Sequence, residues 1–171
     1  MKKKVLFIIL IVIAKIGISQ DYIYVDDNKY KSTPTWIFDV PLGSSWNPPY
    51  LEICIAKKDS LGNGYLMLST EVPFTNVKLT GIVTLYLGDS LIVKCYDKGI
   101  YDNVNSKAIT LYSLTKDEVN NLKKITITSI RFSSIGFGPG TYIATNGGTK
   151  GPFSRGKFYN TKDDIVALFG K

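Results

Sequence analysis

Apolar residues along most of this chain alternate with polar ones in short runs, and Gly, Asn, Asp or Pro separates one run from the next. A period of two sends successive side chains to opposite faces of a strand, so this pattern is typical of β-structure with one buried face. The pattern predicts nine strands: Tyr22 to Asp26, Thr35 to Val40, Leu51 to Lys57, Tyr65 to Glu71, Gly81 to Leu87, Leu91 to Tyr96, Ala108 to Ser113, Ile125 to Phe132 and Thr141 to Thr145.

Two pairs of these strands are predicted to form hairpins. A two-residue turn at Gly88 and Asp89 joins the fifth strand to the sixth, because Gly at the first central position permits the positive φ of a type II′ turn. A longer loop, from Asp59 to Gly64, joins the third strand to the fourth and is rich in residues that tolerate left-handed backbone.

A first short helix is predicted after Leu114. Thr115 is a natural N-cap, and Glu118 three residues later completes a capping box. Leu114 and Val119 stand at the two positions of a hydrophobic staple. These residues are the strongest local signal of a helix in the chain.

A second helix is predicted to start after Thr161 and to end at Gly170. Ile165, Leu168 and Phe169 share one face of this helix, so we expect it to pack on the sheet as a lid.

The strand before residue 132 changes phase near Thr128 and Ser129. Ile125 and Ile127 share one face, whereas Ile130 and Phe132 share the other. A β-bulge near Thr128 would return all four side chains to one face, and a strand buried on both sides would give the same pattern.

Together these elements predict a mainly β fold, an antiparallel β-sandwich or open barrel with one short mid-chain helix and one C-terminal helix. Residues 20–171 form a single domain in this prediction, because about 150 residues bury enough surface for stability without disulfides.

The first nineteen residues are predicted to be a signal peptide. Three lysines after Met1 precede an apolar run over residues 5–14, and Gly17 and Ser19 are the small residues that a signal peptidase requires. As a helix the apolar run would cover about 15 Å, half of a hydrocarbon core, which disfavours a membrane anchor. We therefore expect an exported protein, periplasmic or secreted, with no stable membrane insertion after cleavage.

The charge balance changes once this segment is removed. Four of the 21 basic residues and none of the 14 acidic ones lie in it, which leaves 17 basic residues against 14 acidic ones, a net charge of +3. A surplus this small, on lysines that are mostly scattered, does not favour nucleic acid as a partner.

The two cysteines are predicted to be free thiols. Cys54 has the phase of Glu52, opposite the apolar face of its strand, whereas Cys95 has the phase of the apolar residues Leu91 and Val93. Because one side chain points outward and the other inward, they are not placed to pair, unless both faces of a strand are covered.

Histidine is absent from the sequence, which removes the usual general base, the Ser-His and Cys-His nucleophile pairs and most zinc sites. The stretch from Gly151 to Phe158 has nearly the spacing of a P-loop, but Phe158 stands where that motif needs a hydroxyl. We predict no catalytic residue, no metal site and no cofactor. Oxygen-rich residues that could ligate Ca²⁺ match no loop motif: Asp97, Asp102, Asn103 and Asn105.

Paired carboxylates remain an alternative chemistry, because two of them facing each other across a cleft can cleave glycosidic bonds without histidine. The candidates lie on strands or at strand ends: Glu52, Glu71, Asp97 and Asp102.

Aromatic residues are the predicted binding site. Trp46 and Tyr50 flank two prolines in a stiff loop, and Trp36 precedes them on a strand. Exposed rings of this kind bind sugars or proteins, although a Trp that caps one end of the core would give the same sequence.

We therefore expect a binding or structural domain rather than an enzyme, with an unknown protein or glycan of the cell envelope or exterior as its partner. The alternatives are a small carboxylate-dependent hydrolase and a periplasmic inhibitor or immunity protein that inserts a loop, such as residues 146–157, into an enzyme.

Overall fold

The structure is a computed structural model that describes residues 21–41, 50–72, 77–136, 140–148 and 156–170. These residues form a mostly antiparallel sheet with one short mid-chain helix and one C-terminal helix, as predicted. In chain order the elements are β1 (Asp21–Val25), β2 (Asn28–Ser32), β3 (Trp36–Asp39), β4 (Tyr50–Lys57), β5 (Gly64–Glu71), β6 (Lys78–Leu87), β7 (Leu91–Cys95), β8 (Asp97–Val104), β9 (Lys107–Leu114), α1 (Lys116–Leu122), β10 (Ile127–Ile135), β11 (Gly140–Thr145) and α2 (Thr161–Phe169).

The strands form one sheet in the order β7-β6-β10-β11-β3-β4-β5-β9-β8, and β2 adds the β1–β2 hairpin beside β4. The sheet curves strongly but is not closed into a barrel. Its two ends meet where β6 lies against β8 and β9. There the Thr110 hydroxyl donates to the carbonyl of Leu79 at 2.8 Å, and the Thr80 hydroxyl donates to the Asp97 carboxylate at 2.8 Å.

The inner face of the curved sheet forms the main core. Its largest fully buried side chains are Trp36, Phe38, Tyr112 and Phe132. Val119 and Leu122 of α1 and Ile165 of α2 join the same cluster. The two helices therefore supply the apolar side chains that complete the inner face, as expected for short helices that pack on a sheet.

Among the described elements, the β1–β2 hairpin covers part of the outer face. Ile23 of β1 packs with Cys54 and Ala56 of β4 and with Leu111 of β9 in a second cluster. The β1–β2 hairpin thus covers the outer side of β4, β5 and β9, and in that region the sheet is buried on both faces.

The structure shows a bulge in β10, one of the two explanations that the change of phase left open. Ile127 pairs with Leu87 of β6 and Ser129 pairs with Tyr86, so Thr128 is the extra residue. Its hydroxyl donates to the carbonyl of Tyr86 at 3.1 Å. The bulge returns Ile127, Ile130 and Phe132 to the buried inner face.

The turn between β6 and β7 is longer than predicted. Leu87 pairs with Leu91, so the loop has three residues, Gly88 to Ser90, rather than two. Gly88 has a φ of 54°, the positive value that made Gly necessary at this position. The additional loop residue is Ser90.

Two strands, β2 and β8, were not predicted. Each belongs to a hairpin whose turn contains two non-glycine residues with positive φ, Asp26 and Asp27 in one and Asn105 and Ser106 in the other. Asp and Asn tolerate this conformation, and positive φ at both central residues is the geometry of a type I′ turn. The turns therefore close hairpins without the glycine that marks them in a sequence.

Asn146 anchors the C-terminal segment to the sheet. Its buried side-chain amide donates to the carbonyls of Ile127 and Tyr159 at 2.8 Å each, and its oxygen accepts from the Tyr159 amide at 2.8 Å. The Thr161 hydroxyl accepts from the Ile127 amide at 2.9 Å. These bonds fix the start of α2 beside β10.

The capping box of α1 is present, and it generates a prediction about stability. The Thr115 hydroxyl accepts from the Glu118 amide at 3.3 Å, and the Glu118 carboxylate accepts from the Thr115 amide at 2.7 Å.

We expect Thr115→Ala and Glu118→Ala each to lower the free energy of unfolding by about 0.5–2 kcal/mol, measured by urea denaturation. Lys124→Ala, at an exposed position beyond the helix, is the control and should change little. Wild-type stability in both cap variants would contradict the prediction.

Candidate functional site

The aromatic residues predicted to bind a partner lie in different places. Trp36 is 0% exposed and Tyr50 is 7% exposed, so neither ring is presented to solvent. The Trp36 indole donates to the Asp164 carboxylate at 2.8 Å, which joins β3 to α2. Trp46 lies outside the described residues. Trp36 therefore lies in the main core, the alternative that the sequence left open for a Trp, and Tyr50 is buried at the start of β4. A binding role for Trp46 stays a prediction.

The two cysteines are free, as predicted, and lie on opposite faces of the sheet. Cys54 points to the outer face but is buried, because the β1–β2 hairpin covers it. Burial raises the pKa of Cys54 to about 12, with a further increase from the nearby charges of Asp21 and Glu52. Burial also raises the pKa of Cys95 to about 12. Thiols that stay protonated at neutral pH are poor nucleophiles.

Glu52, one of the candidate catalytic carboxylates, is held in an ion pair. The Lys107 ammonium lies 2.7 Å from one carboxylate oxygen of Glu52, and the Ser69 hydroxyl donates to the other at 2.8 Å. Glu52 faces the outer side of β4 beside Ser69 of β5. Its partners neutralise and orient it within the sheet.

Asp97, a second candidate, lies where the two ends of the sheet meet. Burial opposes its charge, but hydrogen bonds from the Gly99 amide, the Thr80 hydroxyl and the Gly81 amide outweigh that effect and lower the pKa of Asp97. A carboxyl stabilised in its charged form is a poor general acid. Its hydrogen bonds instead connect β6 to β8.

The remaining candidates do not form a ligand cluster. Glu71 and Asp102 are exposed, and the Asp102 carboxylate accepts from the following amide, that of Asn103, at 2.7 Å. Within the described ranges, no group of three or more His, Cys, Asp or Glu could hold a metal ion. Most of the P-loop-like stretch, residues 151–155, lies outside those ranges.

The sequence did not predict a sheet surface that no described element covers. The outward side chains of β7, β6, β10 and β11 form what we call the open face. Pairing across the four strands defines its central row, Lys94, Thr84, Arg131 and Ile143, and a flanking row, Ile92, Tyr86, Ser129 and Thr145. Directly opposed residues in antiparallel strands share a face, so the two rows form one surface.

Large apolar side chains lie on the open face. Ile92 and Ile143 are 51% and 48% exposed, and Ile82 and Tyr96, at neighbouring positions of the same strands and their ends, are 50% and 58% exposed. Single exposed apolar residues are ordinary, but several on adjacent strands of one face make that face a candidate interaction surface.

Two cations lie between these apolar residues. Lys94 and Arg131 are exposed on either side of Thr84, and neither forms an ion pair with a carboxylate in the part of the chain that the structure describes. The Thr84 hydroxyl is buried and has no hydrogen-bond partner there. The centre of the open face thus offers positive charge that the described residues leave uncompensated.

The signal for this face is present in the sequence. Ile82, Ile92 and Ile143 occupy the phase of their strands that alternation assigns to solvent, opposite the buried residues Val83 and Val93. Isoleucines in the outward phase are therefore a sequence signal that this side of the sheet is partly apolar.

Comparison with protein-family models, with curated proteins and with solved structures finds no match to this chain. Within the described residues, no helix is both long and apolar enough to cross a membrane.

The bond between Trp36 and Asp164 generates a prediction. Asp164→Ala leaves the indole N–H without its acceptor, so we expect it to lower the free energy of unfolding by about 1–3 kcal/mol. Asp164→Asn is the matched control, because its amide oxygen still accepts, and it should cost clearly less. Chemical denaturation of the three proteins measures the difference, and equal costs for both variants would show that the hydrogen bond is not what stabilises this contact.

The buried thiols generate a second prediction. Native protein should not react with iodoacetamide at pH 8, and unfolded protein should take up two labels without reductant, as read by intact mass.

Because both pKa values are raised in the folded state, the thiol contribution to stability is complete below about pH 8.5 and is lost as the pH rises toward 12. Replacing both cysteines with Ala should therefore reduce the fall in stability over that interval. Failure to label after unfolding would contradict the assignment of free thiols.

Proposed function

We propose that this chain is an exported, non-catalytic binding domain and that its partner docks on the open face. Export is inferred from the signal-like character of the first nineteen residues, and a partner in the cell envelope or outside the cell follows from it. The observation that supports this proposal is the open face. Large apolar side chains lie there on the same four strands as Lys94 and Arg131, which form no ion pair with a described carboxylate.

The surroundings of the acidic and thiol groups support binding rather than catalysis. Glu52 is engaged by Lys107 and Ser69, and hydrogen bonds hold Asp97 in its charged form. The raised pKa values of Cys54 and Cys95 make their thiols poor nucleophiles. A hydrolase would need two carboxyls facing each other across a cleft, whereas Glu52 bonds to Lys107 and Ser69 on the outer face and Asp97 bonds to β6 and β8.

The experiment compares capture by the wild-type domain and by an open-face variant. Ile92→Thr/Ile143→Thr removes apolar surface but keeps β-branched residues on the strands, so we expect stability to change by less than about 1 kcal/mol. Tyr24→Thr/Leu61→Thr is the matched control, because those side chains are 70% and 71% exposed outside the open face. The immobilised proteins are incubated with a fractionated cell envelope, and bound components are identified by mass spectrometry.

The expected result is a component retained by wild type and by the control but bound at least about tenfold more weakly by the open-face variant, a loss of roughly 1.4 kcal/mol. Equal retention by all three proteins would place the binding site elsewhere. Retention of nothing by any of them would contradict a binding function in the envelope.

A further inference from the structure

The open face differs in charge from the rest of the molecule. None of its four strands, β6, β7, β10 and β11, contains Asp or Glu, although 14 acidic residues occur in the chain. The nearest acidic residues in sequence are Asp89, in the β6–β7 loop, and Asp97, whose carboxylate accepts from Thr80, Gly81 and Gly99. The surface is therefore complementary to a partner with negative charge.

The arrangement of side chains narrows the class of that partner. At a protein–protein interface the buried centre is apolar and depleted of charge, and the polar residues form the rim. On the open face the cations are not confined to the rim. Lys94 and Arg131 share the central row with Ile143, and this row lies between Ile92 on one side and Ile82 and Tyr96 on the other. Anionic headgroups above the centre, with aliphatic side chains reaching between them, would satisfy both kinds of residue.

We infer that the open face docks on an anionic lipid surface, with Lys94 and Arg131 contacting phosphate groups and the surrounding isoleucines entering the interfacial layer. This inference rests on the proposed binding function and names its partner class. Hydroxyl groups next to the cations, those of Ser129 and Thr145, are further donors to phosphate oxygens. The lysine ammonium and the arginine guanidinium both bind phosphate, the latter through paired N–H donors.

The test measures co-sedimentation of the protein with vesicles. The protein is purified from its own cells, and its intact mass is measured first to establish its N-terminus. The vesicles are phosphatidylcholine alone, or phosphatidylcholine with about one third phosphatidylglycerol, at roughly 0.15 M salt. Lys94→Gln/Arg131→Gln removes the central cations. Lys29→Gln/Lys31→Gln, on the outward side of the β1–β2 hairpin, removes the same charge from exposed positions elsewhere. Melting curves confirm that all proteins are folded.

We expect wild type to bind the anionic vesicles and not the neutral ones. The Lys94/Arg131 variant should bind them about 10- to 30-fold more weakly, whereas the hairpin control should stay within about threefold of wild type. Ile92→Thr/Ile143→Thr should also weaken binding, which separates interfacial docking from attraction by charge alone.

Absence of binding to anionic vesicles, or an equal loss in the hairpin control, would overturn the lipid inference. If wild type nevertheless captures an envelope protein that the Ile92/Ile143 variant does not capture, the proposed binding function is supported, and the partner is a protein. If vesicle binding and selective capture both fail, both proposals are wrong.

Discussion

The hydrogen bonds that hold the two ends of the sheet together are the constraint on which the rest of the structure depends. Thr110 on β9 donates to the carbonyl of Leu79 on β6 inside the protein, and Asp97 accepts from Thr80 and the Gly81 amide beside it. A single sheet has no second layer of strands to cover its apolar face, so it must curve until that face is enclosed. Contact between its ends is what makes one sheet sufficient for a core.

Features set by neighbouring residues were predictable from the sequence, and features set by distant contacts were not. The change of phase near Thr128 indicated a bulge or a strand buried on both sides, and the capping box predicted α1, because each signal depends on residues close in sequence. Cys54 was correctly assigned to the outer face, but its burial depends on the β1–β2 hairpin, whose Asp26-Asp27 turn carries no glycine signal. Trp36 was left between a binding role and a place in the core, because its partner, Asp164, lies 128 residues away in the sequence.

Curvature encloses the inner face but leaves the outer face with two possible environments. On β4, β5 and β9 the outer side chains include Cys54 and Leu111, and the β1–β2 hairpin buries them. On β6, β7, β10 and β11 no described element covers the outer side, and several of its large side chains are half exposed. The same sheet therefore uses one outer region for stability and leaves the other available for contact. This division locates the candidate site without reference to any catalytic group.

The isoleucines of the open face are not explained by the requirements of the fold. Thr is β-branched like Ile and suits a strand equally well at a solvent-facing position, and the same face already uses it at Thr141 and Thr145. Exposed isoleucine adds apolar surface that favours association, a liability for a protein that acts alone. The inner face gains nothing from Ile92 or Ile143, whose side chains point away from it. They lie beside Lys94 and Arg131, which form no ion pair with a carboxylate among the described residues. Docking of a partner on this face, as proposed, would account for both features.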